Sequence, residues 1–515
     1  MREHDRTIIN VICSVTTLLL NLVIGFFLSP YIVENIGVEA NGYVVLANNC
    51  VIYAQLIVYA LNSMAARYIT ICYVQKDYTK AKTYYNSVFW GNLIIVAVLL
   101  LPAVIIISCL EYFFVVPEDI LLDVKVLFSA VFLNFFLGTG LPNWDCGTYA
   151  TNRLDRMYVA QMIATLARCV FLCAFFAIFE PGVWIVGVAS VGACLIHLGM
   201  NAYNAHTLTP ELKITLKRGQ IICSWDAMKE LVGAGIWHSV SNVGILLLSG
   251  LDLLICNIMI GPTAMGIVSV AKVLPDCLSQ LSVAVRDAFA PELTINYAKA
   301  DRDAVLKDIK RAMKITSLII TIPLAGIVAF GDCFFSLWMP SQDARLLHTL
   351  VIIGVLGYAF TSGIQILYNV FTTVNKVKEN SIAVLLSGVI SLVLTMGLVF
   401  FTEYDIYAVV GVNVLVNLVR NMIFTIPATA KYLGFKAISF YQQVGSSIFT
   451  VAVLVASGKI ITFGLQIKTW GHFVLSSILL SIFGIILHWF IILKKDERKY
   501  FISIIKSRIK TIRRM

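Results

Sequence analysis

Charge is what this sequence has least of. Asp, Glu, Lys and Arg make up 13% of its 515 residues, against 59% hydrophobic residues, and the mean hydropathy is +0.86. A soluble chain of this length could not hide that much apolar surface, so the composition excludes a soluble globular protein and places the chain in a bilayer. Catalytic signatures are missing as well. There is no GxxxxGK[ST] phosphate loop, no HExxH and no GxSxG, which excludes ATP hydrolysis by a P-loop and the zincin and serine-hydrolase routes. No polar loop carries the acidic or histidine cluster that a membrane-embedded glycosyltransferase would need, so the chain reads as a non-enzyme without cofactor or metal. The 12 cysteines lie almost all in apolar runs, with neither a CxxC pair nor a zinc spacing. They read as small core hydrophobes rather than disulfide partners.

What is present is a series of apolar runs of about 20 residues, each long enough to cross a hydrocarbon core as a helix. They fall at 8–28, 42–62, 88–109, 121–141, 158–179, 182–203, 233–257, 264–285, 314–335, 346–368, 380–401, 406–428, 440–463 and 471–493. The expected fold is therefore an all-α integral membrane protein of about 14 transmembrane helices. The first run continues into Pro30 and Tyr31 without a small-x-small site and reads as a retained span. The formal charge of +10 is spread in short basic clusters between the runs, a membrane-topology pattern rather than a nucleic-acid surface. Alternate junctions collect Lys76, Lys80, Lys82, Arg153, Arg156, Lys213, Lys217, Arg218, Lys307, Lys310 and Arg311, while the opposite loops carry Glu34, Glu39, Glu111, Glu118 and Asp119. Basic loops resist translocation, so both termini are expected in the cytoplasm.

One stretch repeats. Ile36, Gly37, Ala40, Gly42, Val44, Ala47, Ala60, Ala66, Thr70, Ile71, Tyr73 and Asp77 recur 224 positions later as Ile260, Gly261, Ala264, Gly266, Val268, Ala271, Ala284, Ala290, Thr294, Ile295, Tyr297 and Asp301. Chance would give about 3 or 4 such identities, so an internal duplication is the reading. Six spans separate the copies, which gives both the same orientation across the membrane and implies two parallel six-helix bundles. The expected organisation is an amino-terminal lobe over 1–203, a cytoplasmic linker over 204–232, a second lobe over 233–428, two additional carboxy-terminal helices over 429–493 and a basic cytoplasmic tail over 494–515. Residues 298–314 read as an amphipathic helix on the cytoplasmic leaflet, with Val305, Ile309 and Met313 on one side.

Ionisable groups inside spans are costly and mark candidate sites. Lys272 lies about eight residues into its span, roughly 12 Å deep at 1.5 Å per residue. Asp276 and Ser279 share its face, with Pro275 between them. The pair either neutralises itself or lines a cavity, with Lys272 meeting an anion and Asp276 holding it or taking a proton. Gln161, Thr165 and Arg168 form a second face, with Arg168 near mid-depth. Asn413, Asn417, Arg420 and Asn421 form a third, where Arg420 could instead snorkel to the interface. His238 and Asn242 add a polar stripe that serves either helix packing or cavity lining. Lys272, Arg168 and Arg420 against Asp276 leave a net positive interior, which favours an anion such as phosphate or pyrophosphate. Asn48 stands in the first copy where Lys272 stands in the second.

The run Leu22-Val-Ile-Gly-Phe-Phe-Leu-Ser-Pro30-Tyr-Ile, followed by Ile36-Gly37-x-x-Ala40-x-Gly42, the parallel repeat and the span count resemble the polysaccharide-transporter branch of the multidrug/oligosaccharidyl-lipid/polysaccharide (MOP) flippase superfamily, with its Wzx-type O-antigen flippases. The resemblance implies a MATE-like fold in the cytoplasmic (inner) membrane and a flippase that moves undecaprenyl-pyrophosphate-linked oligosaccharide to the outer leaflet by alternating access, for surface polysaccharide synthesis. It also implies proton or sodium coupling, contact with membrane lipids, and a polysaccharide polymerase and glycosyltransferases as partners, with no nucleic acid. Two other readings stay open: an ion-coupled multidrug exporter, which would use Asp276, His238 or Asp252, and a non-transporting scaffold of a polysaccharide-synthesis complex.

Overall fold

A computed structural model describes residues 3–151, 153–214, 223–298, 302–492 and 498, and among these the chain is helical without strands. The principal helices are α1 (Glu3–Asn35), α2 (Val38–Asn62), α3 (Tyr78–Ser108), α4 (Leu121–Gly140), α5 (Leu154–Ile178), α6 (Trp184–Leu208) and α7 (Trp225–Ile245). A helix α8 in two pieces (Pro262–Ala271 and Val273–Ala298) follows, then α9 (Arg302–Trp338), α10 (Ala344–Thr361), α11 (Val377–Phe401), α12 (Asp405–Arg420), α13 (Ile438–Leu465) and α14 (Trp470–Leu487). Among the described residues twelve helices are long and apolar enough to span a bilayer, thirteen when the two pieces of α8 count as one span, and α1 contributes a shorter apolar segment, Leu19–Asn35. The basic tail over 494–515 lies outside the described residues apart from Arg498, as does part of the 204–232 linker, residues 215–222.

Local chemistry sets the helix ends. The Asp77 carboxylate accepts from the Lys80 N–H at the start of α3, and the Ser224 hydroxyl accepts from the Ala227 N–H at the start of α7. The Asp343 side chain accepts from the Arg345 and Leu346 N–H groups at α10. Each satisfies a backbone donor that the first helical turn leaves unpaired. The repeated Ile-Gly has the same explanation in both copies. Gly37 and Gly261 turn the chain into α2 and α8 at φ 130° and 140°, values that a residue with a Cβ resists.

The chain divides into two compact units, residues 1–270 and 271–515. In the first, Leu61, Ala65, Ile69, Tyr84, Tyr85, Val88 and Leu231 form a buried cluster where α2, the short helix Ala65–Val74, α3 and α7 meet. In the second, Val305, Ile309, Ala312 and Met313 pack with Leu293, Ile364, Leu367, Ile426 and Phe440. The amphipathic segment expected to lie on a leaflet surface is thus the beginning of α9, and its apolar stripe faces protein from Val305 onward. A stripe of that spacing fits a core as readily as an interface. The two carboxy-terminal helices also pack against α9, with Leu454, Leu480 and Leu487 buried beside Ala325, Ala329 and Phe330.

Candidate functional site

In the second unit the site grows around Arg420, the last residue of α12. Beyond it the helix continues as a π turn over Asn421–Thr425, a local widening that recurs at functional positions. The guanidinium donates to Asn417 Oδ1 at 2.7 Å and to the Tyr368 hydroxyl at 3.2 Å, and its carbon lies 5.8 Å from the centre of the Tyr368 ring. Tyr368 donates in turn to Asn421 Oδ1 at 2.7 Å, and the Asn421 amide donates to the Asn417 carbonyl at 2.9 Å. All of these partners are neutral. Arg420 Nε is buried without a partner, and no carboxylate pairs with Arg420 among the described residues. This side chain is packed on an aromatic face and held by hydrogen bonds to neutral groups.

Asp276 belongs to the same unit. It sits one turn after Lys272, and its N–H donates to the Lys272 carbonyl at 2.9 Å. Tyr358 of α10 hydrogen-bonds Ser279 and lies within electrostatic range of both Asp276 and Tyr368. Hydrogen bonds thus join Tyr368, at the start of the short helix Tyr368–Thr373, to Asn417, Arg420 and Asn421, while Tyr358 pairs with Ser279, one turn after Asp276. Asn413 stands one turn before Asn417 and has a partner of its own. Lys272 occupies the break in α8, where the two pieces meet at 42°. Pro275 comes after the break and packs against Gly354 of α10, where a Cβ would stand 3.2 Å from its Cγ.

In the first unit Arg168 lies midway along α5. Its Nε is buried and has no hydrogen-bond partner, and among the described residues no acidic side chain pairs with it. A guanidinium in that condition is expensive to keep inside a membrane protein. Thr165, one turn earlier, is buried, while Gln161 is exposed. His238 and Asn242 are half-buried on α7. Asn48, the repeat counterpart of Lys272, donates to its own helix at the Val44 carbonyl, 2.7 Å away, so the first copy holds a self-satisfied amide where the second holds a cation. Asp252, the third acidic or histidine candidate of the exporter reading, is buried at 5% exposure. No three His, Cys, Asp or Glu side chains come together as a metal site among the described residues.

The tyrosines are what sequence reasoning missed. Tyr358 and Tyr368 sit in apolar runs and carry no charge, so nothing singles them out until the fold sets them beside Asp276 and Arg420. A phenol hydroxyl among membrane-spanning residues is itself a polar group that needs a partner, and that was the available signal.

An all-helical chain with this order of spans has the fold of the MOP transporters. The structure superposes on that of "Lipid II flippase MurJ, inward closed conformation" with a TM-score of 0.64 and 12% identity, covering 93% of this chain and 99% of that one. It superposes on an inward-facing multidrug resistance MATE family transporter of the MOP superfamily with a TM-score of 0.60 and 14% identity, covering 81% and 94%. In sequence, the chain is 26% identical over 495 residues to "Uncharacterized membrane protein EpsK" of Bacillus subtilis (strain 168), covering 95% of this chain and 96% of that protein. Residues 50–342 match the family described as "Polysaccharide biosynthesis protein". The chain belongs to that family, and is a multi-pass membrane protein of it.

Proposed function

We propose that this chain is a flippase that moves a lipid-linked oligosaccharide, of the undecaprenyl-pyrophosphate type, across the cytoplasmic membrane by alternating access. The observation that supports the reading is a pair of arginines, Arg168 in one unit and Arg420 in the other, each with a buried Nε that has no hydrogen-bond partner and neither with a carboxylate partner among the described residues. A partly buried cation without an opposite charge is stabilised by an anionic ligand, and a diphosphate is the anionic part of such a substrate. Lys272 at the break in α8 is the third candidate cation, and Asn413, Asn417, Gln161, Asn242 and His238 are candidates for sugar hydroxyls or a coupling ion. The prenyl chain stays in lipid, so only the head group needs a polar route past the hydrocarbon. Asp276, within reach of Tyr358, is the candidate for proton or sodium coupling.

The distribution of lysine and arginine supports a cytoplasmic location for both termini. Polymerase and glycosyltransferase partners follow from the family's place in polysaccharide biosynthesis. The test is reconstitution into vesicles with a lipid-linked oligosaccharide and an accessibility assay for the head group. Arg168→Ala and Lys272→Ala should abolish transfer while the protein still inserts. Full transfer by both variants overturns the cationic site, and absence of transfer by the unaltered protein favours a scaffold.

A further inference from the structure

The short helix Asp145–Ala150, between α4 and α5, holds a second polar centre that takes no part in the cationic site. Asn201 of α6 donates through Nδ2 to Asp145 Oδ1 at 2.7 Å, and the same Nδ2 lies 3.2 Å from His197 Nε2. Asn201 is 3% exposed, and its Oδ1 is buried with no partner. Asp145 also lines a cavity of about 280 Å³ with Gln55, Asn62, Asn92, Thr139 and Asn143.

One amide nitrogen serves two neighbours here, and its two hydrogens suffice only if both neighbours accept. A carboxylate always accepts. His197 Nε2 accepts only when the ring is neutral and its proton is on Nδ1. A second proton on the ring turns Nε2 into a donor facing another donor. The contact is then restored only by rotating the Asn201 amide so that its unpartnered Oδ1 meets the imidazolium, and that rotation withdraws the hydrogen bond from Asp145. Burial already raises the Asp145 carboxyl above its ordinary range, opposed by His197 and the Asn201 hydrogen bond.

We propose that His197, Asn201 and Asp145 form a proton-binding site, in which a proton on His197 turns the Asn201 amide and frees the Asp145 carboxylate toward the Asn62, Asn92 and Asn143 cavity. The packed elements also carry Tyr149, Tyr158, Cys169, Cys173, Cys194, Tyr203 and His206. Arg153 is paired with Asp155 at 2.9 Å, and Arg156 donates to Thr207. Arg168 lies further along α5. Asp123 and Lys125 stand at the opposite end of α4. Tyr85 of α3 and Cys146 are further titratable neighbours of Asp145.

The test is nitrogen-15 NMR of the full-length protein in lipid nanodiscs, labelled at histidine and asparagine side chains, with His197 assigned by His197→Gln and Asn201 by Asn201→Leu. At neutral pH His197 should show the tautomer with its proton on Nδ1. On acidification the Asn201 side-chain resonances should move with the same midpoint as the His197 ring, and that movement should be lost in His197→Gln. Asp145→Asn, a near-isosteric change suited to a case where Asn201→Leu fails to fold, should leave the tautomer in place and remove the carboxylate's share of the Asn201 shift. A neutral His197 protonated on Nε2, or an Asn201 amide that stays still while His197 titrates, overturns the proposal. These readouts do not depend on transport, so they hold whether or not the chain proves to be a flippase.

Discussion

Gly42 and Gly266 touch. A Cβ built on Gly42 would stand 3.1 Å from the Gly266 Cα, and one built on Gly266 would stand 2.4 Å from the Val38 carbonyl oxygen. The two glycines occupy the same position of the duplicated segment. So do Glu39 and Thr263, whose side chains hydrogen-bond at 2.7 Å. Equivalent positions of the two copies pack directly on each other at the start of α2 and of α8. The glycines are thus kept by geometry on both sides of one contact.

Gly266→Ala should therefore destabilise the protein. The clash is with backbone, which cannot swing aside as a side chain can, and overpacking of this kind costs about 1–3 kcal/mol. Thermal unfolding in detergent reads it, and a melting temperature equal to that of the unaltered protein would show that the backbone yields.

Tyr368→Phe should weaken the fold around Arg420. The lost hydroxyl accepts from Arg420 and donates to Asn421, which is fully buried. An unsatisfied buried acceptor costs about 1–3 kcal/mol. Transfer of lipid-linked oligosaccharide should fall with it, and Arg420→Lys should not substitute, because an ammonium can neither stack on the ring nor present a planar fork. Vesicle assays on both variants decide this, and normal transfer by Arg420→Lys would show that charge alone is required.

At Gly331 a Cβ would come within 2.2 Å of the His348 ring, whose Nδ1 lies 2.5 Å from Asp332 Oδ1. Gly331→Ala should push the ring off Asp332 and destabilise by about 1–3 kcal/mol. His348→Ala in the same background should abolish most of that loss, since it removes the atoms in the way. A double-mutant cycle by thermal melting measures the relief.

Asp145 supplies the pH-dependent prediction. Its carboxyl is raised above the ordinary value by burial, so the folded protein binds this proton more tightly than the unfolded chain. Its contribution then disfavours folding at neutral pH and is relieved as pH falls through the raised value. Asp145→Asn should raise the melting temperature at neutral pH, with the gain shrinking in mildly acidic buffer. A gain independent of pH would assign the effect to packing.

Most spans were legible in the sequence because length and apolarity are what a bilayer demands of a helix, and against the fourteen expected, twelve helices meet that demand among the described residues, thirteen with the two pieces of α8. The duplication was legible as well, since the glycines that carry it are fixed by positive φ and by close approach. The interior cations could be picked out by their cost. Their surroundings could not, because what pairs with Arg420 is decided by which helices come together, and Tyr368 lies 52 residues earlier in the chain. The break in α8 lies at Lys272, ahead of Pro275. A proline in the first turn after a break needs no donor that the helix would miss, so it marks where the second piece begins rather than where the helix fails.

The π turn over Asn421–Thr425 amounts to one surplus residue in an otherwise ordinary helix. Each residue advances a helix by about 100°, so the surplus sets the angle at which everything before it meets everything after it. Closing the turn by a single deletion would leave every polar side chain of α12 in place by name and swing the Arg420 stripe about 100° relative to the segment that follows. The length of this helix is therefore as much a part of the site's specification as its composition, and a comparison that scores residue identities alone would pass over that one extra residue as a gap.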